Sequence, residues 1–152
     1  RTTGESVTSL LSSRIWQRIG AEQDGYFTVD SIGTPFAAGG LSAGLRDMVR
    51  VGQLVLNEGV INGKQLFPAA AVERIRQGGG RQAFAAAGYR TLPGGSYRGM
   101  WWSLHNDHGA FTARGQTIYI DPTAEMVIVR FASHPVAGNT APHLAPSLSS
   151  GS

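Results

Sequence analysis

Thr117-Ile118-Tyr119-Ile120-Asp121-Pro122, followed by Glu125-Met126-Val127-Ile128-Val129-Arg130-Phe131, is the stretch that decides the fold. β-Branched and aromatic residues fill both runs, and such side chains suit a pleated, half-buried surface. Asp121-Pro122 is a turn pair that ends the first run. The two runs therefore read as neighbouring strands joined by a few residues, which makes them antiparallel. Upstream, residues 99–104 and 110–114 read as two further strands. Four runs separated by short turns predict an antiparallel meander.

Before residue 99 the period changes. Val7, Leu10, Leu11, Ile15, Trp16 and Ile19 recur near 3.6 residues and give a helix with one apolar stripe, closed by Gly20. Asp24-Gly25 is a turn signal, and Tyr26-Phe27-Thr28-Val29 reads as a short strand. Residues 33–40 form a loop by composition, and Ser42 is placed to cap the following helix. Leu45, Met48, Val49, Gly52, Val55 and Leu56 give that helix its stripe, and Gly59 ends it. Asn62-Gly63 is a tight-turn pair. Pro68 suits a first helical position; residues 69–77 continue as a helix that Gly78-Gly79-Gly80 stops. Residues 81–98 read as irregular, with a turn at Pro93-Gly94-Gly95. Helices followed by antiparallel strands define an α+β domain, an antiparallel sheet flanked by helices. It is expected to span residues 1–132, with an irregular Pro-, Ala- and Ser-rich tail over 133–152.

The 152 residues suffice for one core. The net charge of +3 comes from arginines spread along the chain, without the basic cluster of a nucleic-acid surface. There is no cysteine, so a disulfide framework and a thiolate metal site are excluded. No apolar run approaches membrane-spanning length. No signal peptide is readable, the first residue is not Met, and the compartment stays open. His105 and His108 flank Asn106-Asp107 between two strands, a hairpin turn rather than a metal site. Trp101 and Trp102 alternate sides of a strand, so one should be buried and the other nearer a surface.

Three stretches resemble the C-terminal part of the serine β-lactamase and penicillin-binding-like hydrolases, nearest to their esterase and 6-aminohexanoate-dimer hydrolase branch. Phe36-Ala37-Ala38-Gly39-Gly40-Leu41-Ser42 with Arg46-Asp47-Met48-Val49-Arg50-Val51-Gly52 is similar to that family's glycine pair and amphipathic helix. Tyr97-Arg98-Gly99-Met100-Trp101-Trp102 resembles its aromatic strand. Ala113-Arg114-Gly115-Gln116, with Ile120-Asp121-Pro122 after it, resembles the third motif, Lys-Thr-Gly or His-x-Gly, on the strand beside the active site. Arg1-Thr2-Thr3-Gly4 is similar to the segment after the family's Tyr-x-Asn motif.

The resemblance implies an acyl-enzyme hydrolase of amides or esters, with no cofactor and a small-molecule substrate. Such enzymes use a Ser-x-x-Lys pair. Here the only lysine is Lys64 and the residue three before it is Ile61, and no Tyr-x-Asn or Ser-x-Asn triplet occurs. The nucleophile is therefore expected in a missing N-terminal segment of the same enzyme, and this chain alone is expected to be inactive. The resemblance makes the Gln116 backbone N–H one oxyanion donor. Gly115 would let substrate lie against the strand as an added edge strand. Ala113 and Arg114 stand where Lys or His is usual. Arginine does not lose its proton in proteins, so Arg114 would clamp a carboxylate rather than shuttle a proton. The substrate stays open among β-lactam, D-alanyl peptide, linear amide and ester.

Two other readings compete. One is a non-catalytic binding module that kept the sheet. The other takes Gly40-Leu41-Ser42-Ala43-Gly44 as the nucleophile elbow of an α/β hydrolase, with Asp107 or Asp121 and His134 completing the order. That elbow needs a buried strand directly before Ser42, and residues 34–39 make a poor one. A sheet without its covering layer would expose a large apolar face, so a partner segment or self-association is expected.

Overall fold

The computed structural model describes residues 3–89, 92–104 and 116–132. Among these residues four α-helices and four antiparallel strand pairs form a mixed α+β architecture. Helix α1 (Val7–Leu11) begins where the Ser6 side chain accepts from Ser9 N at 3.0 Å. It runs into a π-helical turn, Ser12–Trp16, that carries the stripe round to buried Trp16 and Ile19. Gly20, at φ +66°, ends it as expected.

Strands β1 (Tyr26–Phe27) and β2 (Leu41–Ser42) pair antiparallel across the intervening loop, which an isolated Val29–Pro35 bridge narrows. This corrects the expectation for Ser42: it sits in β2 opposite Tyr26 and caps nothing. Helix α2 (Leu45–Leu56) starts one residue after its N-cap Gly44, whose extended backbone needs no side chain to begin the turn. No side chain caps α2, and Asp47 in its first turn instead accepts from a distant loop, as described below.

Strands β3 (Val60–Ile61) and β4 (Lys64–Gln65) are joined by Asn62-Gly63, both at positive φ, the two-residue turn whose twist matches flanking strands. Helix α3 (Ala69–Gln77) has Pro68 as N-cap rather than first helical residue. At its end Gly78 has φ +68°, and a Cβ there would lie 1.9 Å from Ser96 Oγ, so only glycine fits. Helix α4 (Arg81–Ala86) and strand β5 (Ser96–Arg98) occupy the span expected to be irregular. β5 pairs with β6 (Trp101–Ser103) through Gly99-Met100, again both at positive φ.

Strand β7 (Thr117–Asp121) pairs with β8 (Met126–Arg130) in the expected register region, Tyr119 opposite Ile128. Asp121 Oδ1 accepts from Thr123 N and Ala124 N and so builds the connecting turn. The strand expected over 110–114 lies outside the described residues, as do His105, His108 and the 133–152 tail. Among the described residues the strands form pairs rather than one continuous sheet.

Helix α2 holds the two apolar clusters together. One comprises Val55, Val72, Ile118 and Ile120; the other comprises Trp16, Ile19 and Leu54. Met48, Val51 and Phe67 pack against both. The helix reaches the β7–β8 hairpin at Gly52, where a Cβ would stand 2.5 Å from Val127 Cγ1 and 3.1 Å from Ile118 Cγ2. The absent side chain is what permits this approach. Further along, Leu56, Asn57 and Glu58 share an open concavity with Pro122 and Glu125. Helix α2 therefore runs in the same direction as β7, its C-terminal end at the β7–β8 turn. Trp101 packs on the Val55 cluster, whereas Trp102 meets Phe84 and Tyr89 edge-on at 6.2 and 5.2 Å. Both indoles are half-buried, so neither takes the fully buried place expected for one of them.

Candidate functional site

Gln116 immediately precedes β7 and is exposed. Its side-chain Oε1 accepts from Ala132 N at 3.1 Å. That bond ties the residue before β7 to the residues after β8 and closes the open end of the hairpin. Within the hairpin, Thr117 faces Arg130 and Ile118 faces Val129. Ile118 in turn packs on α2, so Gln116 is two residues from a core anchor. The Gln116 backbone N–H belongs to the peptide shared with Gly115, which lies outside the described residues. Ala113, Arg114 and Gly115 lie outside the described residues, so the structure carries the expected motif only at its last position.

On the same hairpin, burial and then the charge of Asp121 push the Tyr119 phenol upward. Tyr119 thus stays neutral through the ordinary pH range and serves as hairpin packing.

The N-terminal end of α2 carries a polar cluster that the sequence reading quoted but did not interpret. Asp47 is 1% exposed. Its carboxylate accepts from Glu22 N at 2.8 Å, Gln23 N at 3.2 Å and Arg50 Nη1 at 3.1 Å. Arg50 also donates to Glu22, and Arg46 lies 3.6 Å from the same carboxylate. The Arg50 hydrogen bond, then its charge, holds the Glu22 carboxyl below its usual range. Glu22 correspondingly raises the Arg50 guanidinium. Both Asp47 oxygens are engaged, and the set pins the loop after the first helix to α2. A signal was available: an acid in a first helical turn, three residues before an arginine, is a natural partner for unpaired N–H groups.

Ser42 has none of the surroundings of an elbow. Its strand is two residues long and antiparallel, Leu41 is half-buried and Ser42 is exposed. Asp121 is committed to its turn, and Asp107 and His134 lie outside the described residues. The described residues include no group of three His, Asp or Glu side chains able to hold a metal. No described helix is long and apolar enough to cross a membrane.

The mixed α+β architecture agrees with a partial likeness to the 6-aminohexanoate-dimer hydrolases, proteins of the β-lactamase/transpeptidase-like family. The chain is 36% identical over 139 residues to the 6-aminohexanoate-dimer hydrolase of Paenarthrobacter ureafaciens, covering 89% of this chain and 36% of that protein. Its fold matches that of a Bacillus anthracis protein provisionally named a 6-aminohexanoate-dimer hydrolase. There the TM-score is 0.73 at 40% identity, over 86% of this chain and 33% of the other. No family model matches. The chain thus spans about a third of the length of these relatives.

Proposed function

We propose that this chain is the C-terminal portion of a serine hydrolase that cleaves amide or ester bonds through an acyl-enzyme. Its Ser-x-x-Lys and Tyr-x-Asn motifs lie in polypeptide outside this chain. Residues 1–132 make up its part of the hydrolase domain, and 133–152 form a tail. The observation that carries this reading is the likeness of most of this chain to about a third of two proteins named 6-aminohexanoate-dimer hydrolases.

In acyl transfer, negative charge gathers on the carbonyl oxygen at the tetrahedral stage. Preorganised N–H donors stabilise that charge without reorganising when it forms. Gln116 N–H is one donor, and the nucleophile's own N–H is the other. Gly115 gives the substrate room against the strand, beside Ala113. Arg114 holds a substrate or product carboxylate in a two-bond fork. The names of both relatives favour a linear amide among the substrates, and a linear amide offers both the carbonyl and the carboxylate this arrangement uses.

The test is made on the enzyme carrying the complete hydrolase sequence. Gln116→Pro removes the N–H and should lower kcat by about a hundred- to a thousandfold. Gln116→Ala keeps the N–H and should retain most of the rate. Equal losses in both variants would refute the backbone-donor role.

A further inference from the structure

The turn between β3 and β4 places an asparagine where it can react with its own main chain. Of Asn57, Asn62, Asn106 and Asn139, only Asn62 is followed by glycine. Both Asn62 and Gly63 are exposed, and a Cβ at Gly63 would meet nothing within 4 Å, so the approach to its amide nitrogen is open. Neither the Asn62 carboxamide nor the Gly63 backbone N–H has a hydrogen-bond partner among the described residues. Lys64, the next residue, is exposed and has no ion-pair partner among them either. A cation there favours the anion that forms when the Gly63 amide gives up its proton.

Ring closure also needs motion. The Gly63 nitrogen must swing onto the Asn62 side-chain carbon, a rotation about the Asn62 Cα–C bond that a closed two-residue turn resists. Only two residue pairs keep this turn closed, Val60 with Gln65 and Ile61 with Lys64. Hairpins this short are marginal by themselves, and local openings of such elements need little free energy. The base of the hairpin is held separately. Ile61 packs on the Trp16 cluster, and Gln65 Nε2 donates to the carbonyls of Glu58 and Phe67. Opening is therefore confined to the tip and leaves the domain folded.

We propose that Asn62 is a spontaneous modification site, deamidated through a cyclic imide that it forms with Gly63. The deprotonated Gly63 nitrogen attacks the Asn62 side-chain carbonyl carbon. The bond from that carbon to the carboxamide nitrogen breaks, and ammonia leaves with the proton. Water then opens the ring at either carbonyl. Opening at the main-chain carbonyl gives isoaspartate, whose main chain runs through the side-chain carbon; opening at the other gives aspartate. Ammonia is exchanged for water, and the only reagents are water and the chain's own atoms. Isoaspartate adds a backbone carbon to a two-residue turn, so Ile61 and Lys64 lose their register.

Incubation of the 152-residue chain at neutral and mildly alkaline pH, then trypsin digestion and fragment mass spectrometry, reads the reaction. Cleavage after Arg50 and Lys64 leaves Asn57 and Asn62 in one peptide, so Asn57 is an internal control. Product should gather at Asn62 and not at Asn57, and faster at the higher pH. Its rate should lie within about tenfold of that in the free peptide of residues 57–67, where nothing holds the turn closed. Lys64→Glu should slow it severalfold. Freshly prepared Asn62→Asp, which keeps a residue suited to positive φ, should retain the parent's urea midpoint, whereas aged chain enriched in isoaspartate should unfold at lower urea. Conversion slower than that window, or as fast at Asn57 as at Asn62, overturns the proposal. An unchanged midpoint in the isoaspartate form overturns the loss of register.

Discussion

Replacing Asp47 by alanine is the sharpest probe of how α2 is held. The carboxylate is almost completely buried and accepts from two backbone N–H groups and from Arg50. Arg50 keeps Glu22 as a partner, so its loss is partial. The two N–H groups, on Glu22 and Gln23, lose their only acceptor. An abandoned buried donor costs about 1–3 kcal/mol, and these two are only partly buried, so the pair is taken at the low end, about 2 kcal/mol. The lost bond to Arg50 adds up to about 1 kcal/mol for a partly exposed ion pair. The expected loss is therefore about 3 kcal/mol, a large part of the stability of a small domain. Urea denaturation followed by Trp16 fluorescence suits the question, because Trp16 Nε1 donates to Gln23 O at 2.8 Å beside the cluster. Asp47→Asn keeps one acceptor and turns a second donor toward an N–H, so it should fall between alanine and the parent. A loss below about 0.5 kcal/mol for Asp47→Ala, the range of ordinary surface changes, would refute the account.

Gly52→Ala should destabilise the chain by about 1–3 kcal/mol, because its Cβ would stand 2.5 Å from Val127 Cγ1, closer than Cβ atoms come, and a tight 3.1 Å from Ile118 Cγ2; an unchanged denaturation midpoint would contradict the close approach. The Glu22 carboxyl is held below its ordinary value of 4.5, so its pairing with Arg50 contributes its full stability above that pH. As pH falls through the lowered value the folded state must take up a proton, and that contribution disappears. Midpoints measured from pH 6 downward should therefore drop, and Glu22→Gln should flatten the decline; an acid limb identical in the two proteins would count against the pair.

Much of this molecule is legible from residue order. The period of 3.6 in Val7 to Ile19 marks a helix because one face must meet a core, and the β-branched runs at 117–120 and 125–131 mark strands for the same reason with a period of two. Asn62-Gly63 announces its turn because few residue pairs accept two successive positive φ angles. Arg81–Ala86 is misread because the glycines before it and the Pro-Gly-Gly after it outweigh six residues of good helix propensity. β5 escapes because Ser96-Tyr97-Arg98 is too short to show a period. Ser42 misleads because a serine before an amphipathic stripe has the composition of a cap, while the backbone needs it in β2. The candidate site is legible only through its resemblance to a family motif. Nothing in the pattern of Gln116 itself signals its side-chain bond to Ala132, which arrives from the far strand. Asp47 shows the reverse case: its partners, Glu22 and Gln23, are more than twenty residues away, and no local period points to them.

Gly52 sets more than the closeness of one helix to one hairpin. Ile118 lies against it, and Gln116 precedes Ile118 by two residues along the ribbon. A change in that contact is therefore passed on to the donor at the ribbon's end with little damping. Productive alignment at such a donor tolerates about 0.5 Å of error, which is less than the space a single methyl group would claim at position 52. If Gln116 N–H is the donor proposed above, its alignment thus depends on an atom the chain omits at position 52.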